Sequence, residues 1–171
     1  MPAVQSTRES GRAATCKNNL RQLGAAAIAH LSNQGFYPSG GWGYKWVGDP
    51  DRGFGRFQPG GWVFSLLPYL ELQYLYDRGK GETSESAKMV AHASVTKQPI
   101  ALMNCPSRRL PILYEHLPGT LDSNQPFNSN KEQYIARGDY AANSGDRFVS
   151  CKTGPSNAAG WETYDFPKGL N

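Results

Sequence analysis

An apolar stripe near the N-terminus constrains this chain more than any other feature. Ala13, Cys16, Leu20, Leu23, Ala27 and Leu31 recur at steps of three and four, the spacing that places side chains on one face of an α-helix. Lys17, Asn18 and Arg21 fall off that face. Pro2 suits a first helical turn, and Asn33-Gln34-Gly35 followed by Pro38 supplies a stop. The pattern predicts a helix over roughly residues 3–32. Such a stripe fits an ordinary core-facing helix or a stalk docked on a sheet, so the rest of the chain must supply a surface to receive it.

Downstream, residues 35–60 are dense in Gly, Trp, Tyr and Asp and read as irregular loop, with large aromatics able to pin it to a core. Trp62, Phe64, Leu66, Leu67, Tyr69, Leu70, Leu72, Leu75 and Tyr76 predict a buried helix from Gly61 to about Asp77, kinked or begun at Pro68. Thr83 or Ser84 can cap a second helix through about Val95, and Glu85 in its first turn suits the helix dipole. The run Pro99-Ile100-Ala101-Leu102-Met103-Asn104-Cys105-Pro106 reads as a buried strand ended by proline. Asp139-Tyr140-Ala141-Ala142-Asn143 reads as another, ended by Ser144-Gly145, and residues 117–133 as a polar loop.

At 171 residues the chain can bury one core and is expected to be one domain. Its 19 Gly and 12 Pro, with charged residues at 19%, describe a loop-rich protein rather than a bundle. Four Trp, nine Tyr and seven Phe give enough apolar mass to exclude disorder. The net charge of +4 is spread along the chain, with no basic run beyond Arg108-Arg109, so a nucleic-acid partner is not expected. Those two arginines are expected to meet carboxylates or carbonyls near the Cys105 strand.

An enzyme is not expected either. His30, His92 and His116 stand at no recognisable spacing from a nucleophile, and neither a His-Glu-x-x-His sequence nor a phosphate loop occurs. His30 is expected to close a core edge. Asp139 and Asp146 bracket the second strand reading and can coordinate or cap. Asp49-x-Asp51-x-Gly53 resembles the start of a calcium loop, in which alternating carboxylates converge on a hard cation. The further ligands of that pattern are missing, so an Asp-Pro turn held by side-chain hydrogen bonds stands beside calcium as a reading. The three cysteines include no Cys-x-x-Cys and no Cys/His zinc spacing.

Residue identity goes further than pattern. Pro2-Ala3-Val4-Gln5 with Arg8-Glu9, then Cys16-Lys17-Asn18-Asn19-Leu20-Arg21-Gln22-Leu23-Gly24, resembles the segment just after the membrane helix in a large planctomycete family of unknown function with prepilin-type N-termini. Pro38-Ser39-Gly40-Gly41-Trp42-Gly43, Trp46 to Gly55, and Gln58-Pro59-Gly60-Gly61-Trp62 are similar to its glycine-rich region. Leu66-Leu67-Pro68-Tyr69-Leu70-Glu71, Asn104-Cys105-Pro106-Ser107-Arg108-Arg109 and Gly138 to Asp146 continue the match in order.

The resemblance implies a pilin-like α+β fold in which residues 1–34 form the lower half of a pilin-type helix, packed on a small antiparallel sheet of a globular head, residues 35–171. It implies a non-catalytic pilin- or pseudopilin-like subunit of a cell-envelope filament or type II secretion assembly, facing outside the cytoplasm. Its partners would be other pilin-like subunits, through the N-terminal helix, and the inner membrane, through an anchor of about 20 apolar residues. The longest small apolar run here, Gly24 to Ala29, is too short to be that anchor, and both ends of the chain read as incomplete.

In an oxidising envelope compartment a Cys16–Cys105 disulfide would clamp the helix to the head, the alternative being three buried thiols. Cys151 is then free, an alternative partner, or paired elsewhere. A second functional reading is an extracytoplasmic glycan-binding module, with Trp42, Tyr44, Trp46 and Trp62 as an aromatic platform near a cation. Against it, tryptophans among glycines serve as loop anchors.

Overall fold

The structure, a computed structural model, describes residues 2–116, 125–143, 153–160 and 162. Helix α1 runs from Pro2 to Gln34, α2 from Trp62 to Leu66, α3 from Gln73 to Tyr76 and α4 from Glu85 to Thr96. Strands β1, Leu113–Glu115, and β2, Tyr134–Ala136, form a two-stranded antiparallel sheet with Tyr114 opposite Ile135. Short 3₁₀ turns lie at Pro50–Arg52, Gly55–Phe57, Leu67–Leu70 and Ala101–Met103. The fold is α+β, with a long N-terminal helix, a small sheet and short helices.

Helix α1 contains no β-branched run and carries the small residues Ala25, Ala26, Ala27 and Ala29 in its second half. It stops where Gly35 adopts a φ of 81° and its N–H bonds back to the Leu31 carbonyl at 2.8 Å, a left-handed cap that suits glycine. The 33 residues span about 50 Å at the α-helical rise. Residues 4–15 are all exposed, and burial begins only at Cys16.

The buried stripe of α1 is offset from the one expected. Cys16, Asn19, Leu23, Ala26 and His30 face the head, whereas Ala13 and Leu20 are exposed. Two polar side chains occupy the stripe because each finds a partner there. The Asn19 amide donates to the Asn104 carbonyl at 3.0 Å, and His30 Nδ1 lies 2.9 Å from the Phe36 carbonyl. Edge-on contacts from Phe36, Phe54 and Tyr69 surround the His30 ring, so it closes the core. Helix α1 rests chiefly on α2 and the Leu67–Leu70 turn rather than on the sheet, whose three-residue strands offer too little apolar face.

The segment expected as one helix from Gly61 to Asp77 is broken in three. Pro68 cannot donate to a continuing α-ladder, and Glu71 takes a positive φ of 62°. The pieces still build the core, in which Phe64, Leu67, Leu75 and Tyr76 are buried together and Phe54, Leu72, Val95 and Ile100 pack against them. Burial pushes the Tyr76 phenol up to about 12, and its hydroxyl donates to the Gly53 carbonyl at 3.2 Å. Helix α4 begins as expected, with the Ser84 hydroxyl accepting from the Ala87 N–H.

Neither expected strand forms. Ala101–Met103 is a 3₁₀ turn inside the Pro99–Pro106 run, and residues 139–143 have no ladder partner among the described residues. The observed strands lie in segments that gave no strand signal. Loop residues 117–124, Asp146 and Cys151 lie outside the described residues.

Candidate functional site

Two amide side chains fix the loop from Trp46 to Gly53. Gln58 is fully buried, its Oε1 accepting from the Asp49 and Gly60 N–H groups and its Nε2 donating to the Asp49 and Gly53 carbonyls. Asn128 pairs with Val47 as a neighbouring strand would, Oδ1 accepting from the Val47 N–H at 2.9 Å and Nδ2 donating to its carbonyl at 2.8 Å. Such amides satisfy backbone groups that a buried loop would otherwise leave unpaired. Gly48 and Gly60 allow the two loop backbones to meet, since a side chain on Gly48 would collide with the Phe64 ring and one on Gly60 with the Gly48 backbone.

The loop so held presents Asp49, Asp51 and Arg52 to helix α4. Asp49 caps its own turn by accepting from the Asp51 N–H at 3.0 Å, the Asp-Pro turn read from the sequence. Its Oδ1 lies 3.1 Å from Lys88 Nζ, and its Oδ2 lies 3.5 Å from Arg52 Nε. Asp51 Oδ2 is 2.6 Å from the same lysine nitrogen, and its Oδ1 accepts from the Gly81 N–H. The Lys88 hydrogen bond holds the Asp51 carboxyl below the usual carboxylate range, while the two carboxylates raise the Lys88 ammonium against the opposing effect of its burial.

The structure brings together Asp49 and Asp51, the pair of the calcium reading, and both carboxylates converge on the Lys88 ammonium. Among the described residues no group of three or more His, Cys, Asp or Glu side chains is arranged to hold a metal.

The four rings of the expected aromatic platform differ in burial. Trp42 and Trp46 are buried and meet edge to face at 4.9 Å, with Trp42 Nε1 donating to the Arg56 carbonyl and Trp46 Nε1 to the Pro155 carbonyl. They anchor the loop, each ring edge-on to the other and held through its indole nitrogen. Tyr44 is 59% exposed and Trp62 half-buried.

His92, on the α4 face toward this loop, is buried, with Nδ1 2.7 Å from the Asn128 carbonyl. Burial lowers its pKa below 6.5, against the pull of that carbonyl and of Asp49. Its Nε2 is buried without a hydrogen-bond partner among the described residues, consistent with a neutral ring whose Nδ1–H donates. Sequence reasoning missed Gln58, Lys88, His92 and Asn128 as a group, because their partners lie across the fold from them.

A second constellation fastens α1. Cys16 and Cys105 are joined in a disulfide across 89 residues of sequence. Around it, Tyr140 Oη donates to the Cys16 carbonyl, and the Asn104 amide donates to the Arg137 carbonyl. The Asp139 side chain, 2% exposed, accepts the Cys105 N–H on Oδ2 at 3.0 Å. Its Oδ1 lies 2.7 Å from Arg109 Nε and 3.4 Å from Arg108 Nε, the carboxylate that the paired arginines were expected to meet.

No helix among the described residues is long and apolar enough to cross a membrane. No curated protein and no solved structure matches the chain. Residues 5–169 match a family described as "Protein of unknown function (DUF1559)". The match spans almost the whole chain, the exposed half of α1, the disulfide seam and the Asp49 loop included, and the chain therefore belongs to that family.

Proposed function

We propose that the chain is a non-catalytic, pilin- or pseudopilin-like structural subunit of a cell-envelope assembly. Its helix α1 packs against the helices of neighbouring subunits and leads toward an inner-membrane anchor. The observation that carries this reading is the division of α1: residues 4–15 are all exposed, with Glu9 accepting a surface hydrogen bond from Ser107, while the helix from Cys16 onward is docked and covalently tied to the head. Twelve residues of projecting helix with Arg8, Glu9 and Arg12 among them gain little from their own turn-to-turn bonds. Packing against other helices gives that segment a reason to persist. The prepilin-type resemblance of the Pro2–Gly24 segment supports the same reading.

The test is intact-mass and N-terminal peptide analysis of the native protein from membrane and non-membrane fractions of its source cells. A processed, methylated N-terminus leading into an apolar helix, recovered with membranes or fibres, is the expected result. A native start at Met1, recovered free of membrane, overturns the proposal.

A further inference from the structure

A cleft of about 460 Å³ opens between α4, the Trp46–Arg52 loop, Phe127 and the 156–158 segment. On its polar side Arg52 is fixed from two directions. Its Nε lies 3.5 Å from Asp49 Oδ2, and its guanidinium carbon sits 5.0 Å above the Trp42 ring, which is itself pinned through Nε1. The two terminal nitrogens, Nη1 and Nη2, have no hydrogen-bond partner among the described residues. A guanidinium oriented in this way presents a planar pair of donors, the geometry that takes a carboxylate through two parallel hydrogen bonds. The other oxygen of Asp49 holds Lys88 beside it, and Lys88 uses two of its three ammonium hydrogens on Asp49 and Asp51.

One helical turn before Lys88, Glu85 lines the same cleft, exposed and without a partner among the described residues. Met89, Trp46 and Phe127 provide the apolar wall. In and beside the cleft two cations, Arg52 and Lys88, face three carboxylates, Asp49, Asp51 and Glu85. That balance disfavours a bare anion and favours a ligand carrying both signs.

We propose that this cleft binds a small zwitterion, an α-amino acid or dipeptide with an apolar side chain. The carboxylate sits on the Arg52 fork beside Lys88, the ammonium meets Glu85, and the side chain lies against Met89, Trp46 and Phe127. The site is independent of the assembly role of α1.

Isothermal titration of the full chain tests it with leucine, phenylalanine and dileucine. The comparison ligands are N-acetyl-leucine, which lacks the ammonium, leucinamide, which lacks the carboxylate, glucose and inorganic phosphate. The zwitterions bind, and loss of either charge weakens binding at least about tenfold, the scale of one charge-assisted hydrogen bond. Arg52→Gln weakens leucine and N-acetyl-leucine alike. Glu85→Gln, at an exposed position that leaves the fold intact by near-ultraviolet circular dichroism, weakens leucine about tenfold while leaving N-acetyl-leucine unchanged. N-acetyl-leucine binding as well as leucine would assign the cleft to peptide C-termini and overturn the proposal. Absence of heat with every zwitterion, or tighter binding of glucose or phosphate, overturns it as well.

Discussion

Asp139 and Asp49 are built from the same parts and put to different ends. Each carboxylate accepts a backbone N–H and faces two cations, Arg108 and Arg109 in one case and Arg52 and Lys88 in the other. At Asp139 the bonded N–H belongs to Cys105, thirty-four residues away, so the carboxylate sews two distant segments together beside the disulfide. At Asp49 it belongs to Asp51, two residues on, so the carboxylate shapes its own turn and steadies side chains that border a cleft. The side chains are 2% and 10% exposed. An ion pair that closes a seam is distinguished from one that furnishes a site by which backbone it binds, more than by its own burial.

The largest test of that distinction removes the covalent partner of the Asp139 seam. Replacing Cys16 and Cys105 together by alanine is expected to cost about 4 kcal/mol, the scale set by a closed loop of this length, measured by urea denaturation. Asp139→Ala comes next at about 3 kcal/mol, the low end for a broken buried pair because Arg108 can turn to solvent. Asp49→Ala is expected to cost about 1–2 kcal/mol, since Lys88 keeps Asp51 and the loop keeps its Gln58 clamp. If Asp49→Ala proved the more damaging, the division between seam and site would fail.

Acid should separate the two regions without mutation. Burial holds the His92 and His30 imidazoles below their ordinary pKa of 6.5, so the unfolded chain takes up these protons first. Their contribution to stability is complete above 6.5 and is lost as pH falls toward the lower folded-state values. His92 borders the Asp49 cluster, whereas no histidine with a lowered pKa contacts Asp139. Hydrogen-exchange protection factors, corrected for the intrinsic rate at each pH from about 7.5 to 5, should therefore fall in α4 and residues 46–53 before they fall in residues 104–109. The smallest effect is expected at Glu9, whose carboxylate accepts from Ser107 and meets Arg12 only on the exposed surface. Glu9→Ala should shift stability by less than about 0.5 kcal/mol.

Local chemistry made part of this structure legible. The extent of α1, its glycine stop and the Ser84 cap all follow from residues close in sequence. The rotation of α1 did not, because hydrophobicity ranks Leu20 above Asn19 and cannot see that Asn104 waits with an unpaired carbonyl. The Pro99–Pro106 run reads as a strand because a short apolar stretch carries no period of its own. The Asp49 turn was visible, but its cation was not, since Lys88 lies thirty-seven residues from Asp51. Gln58 and Asn128 left no local signal, for an amide clamp is defined only by where its target folds.

The disulfide also sets the path of mechanical load. A pull applied along the exposed half of α1 reaches its covalent tie to the head at Cys16 and crosses there to the backbone at residue 105. Asn19, Leu23 and His30 lie beyond that point and are shielded from being peeled away one turn at a time. Tension on the helix is thereby carried into the Asn104–Arg109 segment and its Asp139 fastening, while the loop around Asp49 stays off the line of force.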